Sequence, residues 1–247
     1  MLAARNRARE RPPPRIPAGE RVYAVGDVHG RADLLADLQG QIAGDAAARP
    51  VARPTVIYLG DYVDRGPQSP EVLDRLIDAP LPGFASVHLL GNHEDTMLRF
   101  HDGDFAVAMG WLTYGGEQTL RSYGIDLDHV PSLDALRQRL VHSVPPRHID
   151  FMRGLSLQHR VGDYLFVHAG IRPGVALDRQ KRDDLLWIRE PFLGSAADHG
   201  AVVVHGHSIS REPEQRASRI GIDTGAFATG RLTALVLEAD DQRFLHT

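Results

Sequence analysis

Residues 21–30 read Arg21-Val22-Tyr23-Ala24-Val25-Gly26-Asp27-Val28-His29-Gly30. A short apolar run stops at a glycine, and an Asp and a His follow it two residues apart. The next segment, 31–43, carries Leu34, Leu35, Leu38 and Ile42 at helical spacing. The same unit then recurs. Thr55 to Leu59 predicts a second buried strand, and 70–79 a helix with Val72, Leu73, Leu76 and Ile77 on one face. Ser86 to Leu90 predicts a third strand. This alternation specifies a parallel sheet covered by helices, hence an α/β fold. Each strand runs into a glycine-bearing polar motif. After the first comes Gly60-Asp61-Tyr62-Val63-Asp64-Arg65-Gly66, and then Gly91-Asn92-His93-Glu94. Loops at the C-terminal ends of such strands converge, so the three motifs are expected to meet.

Working outward, the segment from about 95 to 155 reads as helical. Its expected core is Met97, Leu98, Trp111, Leu112, Leu120, Leu133, Leu136 and Leu140, with a break at Gly115-Gly116. It is expected to form a helical cap inserted beside the site. Strands then return at Leu155 to Val161, Tyr164 to His168, Ala201 to His205, Arg219 to Asp223 and Leu232 to Glu238. The first two of these, joined by Gly162-Asp163, read as a hairpin. Two more polar motifs follow later strands: His168-Ala169-Gly170 and Gly206-His207-Ser208. At the other end, Arg5, Arg7, Arg9, Arg11 and Arg15 surround Pro12-Pro13-Pro14. Residues 1–20 therefore read as a flexible basic leader, and 21–247 as one domain.

The bulk composition narrows the chemistry. The chain has 247 residues, enough for a real core. Its net charge is −4, which implies no general affinity for nucleic acid; attraction for phosphate must be local. With no cysteine, a thiolate metal site and a cysteine-nucleophile phosphatase are both excluded. No apolar stretch approaches the ~20 residues of a membrane span, and the leader has no apolar h-region. The expectation is a cytoplasmic protein that uses no membrane.

The five motifs supply Asp, Asn and His, side chains that hold hard or borderline divalent ions. Asp27 and His29, two apart at a strand end, can face one ion. Asp61 is the natural bridge between two ions. Asn92 offers a neutral amide oxygen, and His168 and His207 would complete the second shell. With only Asp27 and Asp61 anionic, two divalent ions leave a charge of about +2, which favours a phosphate dianion. Two metals about 3.5–4 Å apart form a clamp for in-line displacement at phosphorus, with a bridging water as nucleophile. His93, next to a ligand, is placed to point at the leaving group as general acid, with Asp64 as its partner. Arg65 can bind phosphate oxygens with its planar fork.

Most of the thirteen histidines are expected to be surface residues without a functional role. His88, His101, His129, His142, His148, His159, His199 and His246 lack a motif, and strand alternation points His205 away from His207. Trp111 is expected in the core rather than as a substrate platform.

The motifs closely resemble those of the phosphoprotein phosphatases, the serine/threonine phosphatase branch of the calcineurin-like metallophosphoesterases. The resemblance spans about residues 21 to 238 and is strongest to short bacterial and phage members. Their tail pattern is matched by Leu186-Trp187-Ile188-Arg189, Val204-His205-Gly206-His207 and Ile222-Asp223-Thr224-Gly225. It implies two packed mixed β-sheets with helices outside. It implies Asp27, His29 and Asp61 on the first metal, and Asp61, Asn92, His168 and His207 on the second. It also implies Asp64 with His93 as the acid pair, and Arg65 with Arg189 on the phosphoryl group. The bacterial members imply manganese, with iron or zinc also accepted by such ligands. The implied substrate is a phosphorylated protein or peptide. Trp111, Tyr114 and Glu117 stand where the insert would shape its groove.

Two rivals belong to the same superfamily. Dinucleoside tetraphosphate hydrolases resemble this chain in their ligands but tend to differ where His29, Asp64 and Glu94 stand. Broad phosphodiesterases commonly carry a Gly-His-x-His pair, and Gly206-His207-Ser208-Ile209 lacks the second histidine. A third reading, a non-catalytic phosphoprotein-binding scaffold, is disfavoured because every metal and acid position is intact.

Overall fold

The computed structural model describes residues 12–247. Residues 1–11, which hold most of the basic leader, lie outside that range. The rest of the leader is docked rather than free. Ile16 is buried between the sheets, and its N–H donates to Ala239 O at 3.0 Å.

Two five-stranded mixed sheets form the centre. The strands of the first are β1 (Glu20–Val25), β2 (Arg53–Tyr58), β3 (Ala85–His88), β9 (Thr233–Glu238) and β10 (Asp241–His246), in the order β10-β9-β1-β2-β3. Here β1, β2 and β3 are parallel, and β9 returns antiparallel to β1. The second sheet holds β4 (Gln158–Val161), β5 (Tyr164–Val167), β6 (Val202–His205), β7 (Glu214–Gln215) and β8 (Arg219–Gly221), in the order β4-β5-β6-β8-β7. The expected hairpin is present, with Val161 opposite Tyr164.

Period-two alternation explains the layering. Val22 and Ala24 of β1, Leu235 and Leu237 of β9, and Tyr164 and Phe166 of β5 share the core between the sheets. Their neighbours Tyr23, Val25, Ala234 and Val236 face the other way, into the core under the helices. Both faces of each sheet are thus covered, so the strands read as continuous apolar runs. Helices α1 (Ala32–Ala48) and α2 (Ser69–Asp78) connect the parallel strands. No helix among the described residues is long and apolar enough to cross a membrane.

The helical insert is real and begins at Asn92, three residues before its expected start, with α3 (Asn92–His101). Helices at Leu133–Ser143 and Pro146–Arg153 close it. One expected strand is shorter than the sequence suggests. Of Leu155 to Val161, only Gln158–Val161 joins the second sheet, while Ser156 makes a single bridge to Leu89 in the first. The chain is crossing from one sheet to the other there, and cannot pair with both. Strands β7 and β10 were not legible in the sequence, being polar and at sheet edges, where pairing rather than burial holds them.

Candidate metal centre and acid–base pair

Five motif loops meet at one end of the two sheets. Asp27, Asp61 and Asn92 follow β1, β2 and β3; His168 and His207 follow β5 and β6. The backbone there is strained. Of seven non-glycine residues with left-handed φ among those described, five are His29, Asp61, Asp64, Arg65 and His207. Such conformations persist only where the surroundings over-determine them, and they cluster at functional sites. The Asp61 loop shows how. Glu94, fully buried on the first turn of α3, accepts the N–H groups of Asp61, Tyr62, Val63 and Gly91 at 2.9, 2.7, 3.0 and 3.1 Å. Gly91 has no side chain because a Cβ there would lie 2.1 Å from Asp61 Oδ1.

The candidate ligands are connected in one network. His207 N–H donates to Asp27 Oδ2 at 3.0 Å. Asn92 Oδ1 lies 2.9 Å from His207 Nδ1 and 2.8 Å from His168 Nε2. Asp61 stands between two histidines, with Oδ2 3.4 Å from His29 Nε2 and Oδ1 3.4 Å from His168 Nε2. Both rings are oriented from behind. His29 Nδ1 bonds Val63 O at 2.8 Å and His168 Nδ1 bonds Leu59 O at 2.9 Å, so each Nε2 faces the centre.

Two buried atoms of this cluster have no hydrogen-bond partner, Asp27 Oδ1 and His29 Nε2. Donor atoms of His29, Asp61 and His93, and of Asp61, His168 and His207, lie within 4.8 Å of one another. Orphaned lone pairs beside a shared carboxylate fit two cations bridged by Asp61. The electrostatics agree. Burial, then Asp223 and Asp61, push Asp27 well above the usual carboxylate range, a cost that a cation would remove. Burial would raise Asp61 too, but His168, His93 and His29 outweigh it and hold Asp61 well down. Burial also lowers His29, and with nearby His168 lowers His207 to about 3, which leaves these rings neutral and able to bind metal.

His93 sits on the first turn of α3, not at a strand end. Its Nδ1 is 2.6 Å from Asp64 Oδ2, and its Nε2 is 3.2 Å from Arg65 Nη2. Burial opposes its protonation, but Asp61 and Asp64 outweigh burial and raise its pKa. Arg65 lies over the Phe227 ring, 4.9 Å from its centroid, and the same ring packs edge-on to His29 at 5.5 Å. Arg189 joins the cluster through His207 O and Ser208 Oγ, both at 3.3 Å. A cleft of about 500 Å³ opens over the centre, lined by Arg65, Asn92, His93, Arg189 and His207, with Tyr114 and Trp187 beside them.

Residues 20–234 match the calcineurin-like phosphoesterases. The chain belongs to that family. Its members use divalent metals, in keeping with the orphaned lone pairs above. Among relatives of this calcineurin-like phosphoesterase, serine/threonine-protein phosphatase 2 of Salmonella typhimurium is 29% identical over 224 residues, 86% of this chain and 90% of the relative. The asymmetrical bis(5'-nucleosyl)-tetraphosphatase PrpE of Anoxybacillus flavithermus is 28% identical over 230 residues, 85% of this chain and 88% of the relative. A solved structure described as a putative diadenosine tetraphosphatase shares the fold, with TM-score 0.62 and 23% identity, covering 92% of this chain and 93% of that one.

All ten candidate site residues of this phosphoesterase thus come together. One groove assignment needs correction. Trp111 borders the cleft, but at 2% exposure and with its indole N–H donated inward to Asp64 it is chiefly a core residue. Glu117 faces a separate hollow with Leu112 and Leu133, whereas Tyr114 does line the cleft. Not all of the other histidines lie on the surface as expected: His148 is buried, 2.7 Å from both Tyr123 Oη and Asp74 Oδ1, and His88 stacks on Tyr58 at 5.1 Å. His205 turns away, toward Gly206 O and Arg219.

One site residue was missed. Asp223 is 1% exposed, its Oδ2 has no partner, and it acts electrostatically on Asp27. The signal was available: an Asp ending a strand before Thr224-Gly225, the same strand-end logic that selected Asp27.

Proposed function

We propose that this phosphoesterase is a binuclear-metal phosphomonoesterase acting on phosphoserine or phosphothreonine in proteins or peptides. The carrying observation is the buried Asp64–His93 pair, 2.6 Å apart, of which His93 lines the cleft. An alkoxide is a poor leaving group and needs a proton as it departs, whereas a phosphate leaving from an anhydride needs far less help. Asp27, His29 and Asp61 would hold one cation, and Asp61, Asn92, His168 and His207 the other. Bound there, divalent cations would supply Lewis-acid polarisation of the phosphoryl group and of an attacking water. Arg65 and Arg189, both lining the cleft, orient the phosphoryl oxygens for in-line attack. His93 then gives its Nε2 proton to the departing oxygen, while Asp64 keeps the ring turned toward it. Oxygen and imidazole donors accept manganese, iron or zinc, and manganese is the cation to load first.

A second reading, dinucleoside tetraphosphate hydrolysis, has its own support. Several relatives carry that name, and Tyr114 and Trp187 are 67% and 45% exposed beside the cleft, as base-stacking groups would be. Chelator-stripped protein refilled with manganese separates the two. Phosphate release from a phosphothreonine peptide, with diadenosine tetraphosphate untouched, is the expected result. Cleavage of the dinucleotide with an inert peptide would reject the proposal in favour of the second reading.

A further inference from the structure

Asp64 is fully buried, at a left-handed φ of 71°, and carries more hydrogen bonds than one histidine requires. Oδ2 accepts from His93 Nδ1 at 2.6 Å and from Trp111 Nε1 at 2.9 Å. Oδ1 accepts the Thr119 hydroxyl at 2.6 Å. With that proton committed, Thr119 Oγ1 serves as acceptor for Asp64 N–H at 2.8 Å and for the Ser69 hydroxyl at 3.0 Å. Ser69 Oγ in turn lies 3.2 Å from Asp64 N. Backbone and both carboxylate oxygens of Asp64 are therefore held, and the holders Trp111 and Thr119 lie 47 and 55 residues away, in the helical insert.

The insert is shaped for this contact. Gly115 O accepts Arg65 N–H at 3.1 Å, which ties the insert to the residue after Asp64. The Trp111 indole lies flush on Gly116, where a Cβ would come within 2.6 Å of the ring, and it packs against Phe100 at 5.3 Å. A carboxylate torsion is broad and roughly two-fold, so a bond to His93 alone would leave Asp64 free to rock. Two neutral donors at fixed positions remove that freedom. They also satisfy oxygens that would be costly to bury unpaired.

We propose that Trp111 and Thr119 are positioning residues that lock the Asp64 carboxylate onto His93, so that the helical insert governs how well the enzyme expels poor leaving groups. This rests on the reading of His93 as general acid. A group that only packs would affect all substrates alike. A group that holds the acid pair matters only where a proton must be delivered, so the readout is leaving-group selectivity.

The test uses full-length, manganese-loaded protein with p-nitrophenyl phosphate, whose leaving group needs no proton, and a simple alkyl phosphate, whose leaving group does. His93→Asn is the benchmark. Thr119→Val keeps the shape and removes the hydroxyl; Thr119→Ser keeps the hydroxyl and removes the methyl. Thr119→Val is expected to lower kcat on the alkyl phosphate about tenfold or more relative to the aryl ester, at unchanged metal content, as His93→Asn does more severely. Thr119→Ser is expected to retain the wild-type ratio. Trp111→Phe should follow Thr119→Val, because it loses the N–H while keeping an aromatic ring on Gly116. Equal losses on both esters in Thr119→Val, or a Thr119→Ser that behaves like Val, would overturn the positioning role while leaving His93 as the acid. If His93→Asn itself fails to separate the two esters, the acid role falls, and this role with it.

Discussion

At the scale of single residues, charge and burial set what each group can do. His93 holds its proton above the ordinary imidazole range because Asp61 and Asp64 outweigh the opposing effect of burial. Its interaction with Asp64 therefore stabilises the fold fully below the ordinary imidazole pKa and is lost as pH rises through the raised one. Turnover of alkyl phosphates should fall as rising pH strips the proton from His93. Asp64→Asn removes one of the two anions, so the alkaline limb of kcat/KM should move to lower pH. A limb that stays in place would reject the pairing of Asp64 with His93.

Asp27 has the opposite problem. Burial, then Asp223 and Asp61, raise it, so the folded chain binds its proton more tightly than the unfolded chain does. Without metal, its contribution to stability declines as pH climbs from the ordinary carboxylate range toward the raised value. A bound cation replaces that proton. The gain in Tm when manganese is added to stripped protein should consequently grow from mildly acidic to mildly alkaline pH. A gain independent of pH would show that no proton is displaced from the site. The candidate ligands were legible residue by residue because each stands beside a glycine at a strand end. The partners of Asp64 in the insert were not, because nothing near Trp111 or Thr119 in the chain says what their donors will meet.

At the scale of elements, the helical insert was legible as a helical run but not as a working part. Its leucines repeat at helical spacing, and Met97, Leu120, Leu136 and Leu140 are buried as that spacing implies. The break at Gly115-Gly116 was visible too. What it does was not: it opens the turn at Leu112–Gly116 so that the Trp111 ring can lie against Gly116. Gly116 has φ −63°, an ordinary helical value, so alanine there carries no backbone penalty and tests the contact alone. Gly116→Ala should cost about 1–3 kcal/mol in denaturant unfolding, because the indole must tilt away from Asp64. An unchanged midpoint would mean that the ring has room to move. The edge strands β7 and β10 escaped notice for a different reason. Residues 241–246, Asp-Gln-Arg-Phe-Leu-His, have no firm alternation, and it is the neighbouring β9 that makes them a strand.

At the scale of the whole molecule, the candidate metal centre belongs to neither sheet. Asp27, Asp61 and Asn92 come from loops of the first, His168 and His207 from loops of the second. The spacing of the ligands is therefore set by how the sheets pack. Phe166 of β5, fully buried in the shared core, is a lever on that spacing. Phe166→Ala should cost about 3–5 kcal/mol. It should also weaken manganese binding, measured by titration calorimetry on protein that is still folded. Lost stability with metal affinity intact would show that the loops hold their geometry without the sheets' help.

The sequence by itself determined the parallel strands β1 to β3, the order of the motifs and the identity of the candidate ligands. Those features are written within about ten residues of chain each, as an apolar run, a glycine and a donor side chain. Only the tertiary structure decided which groups meet across the chain. Asp27 bonds His207 over 180 residues, and Asp64 takes its holders from an insert 47 and 55 residues away. Asp223 acts electrostatically on Asp27 from a similar distance along the chain. Contacts at those separations depend on the packing of two sheets and an insert against one another, and no local pattern of side chains carries that information.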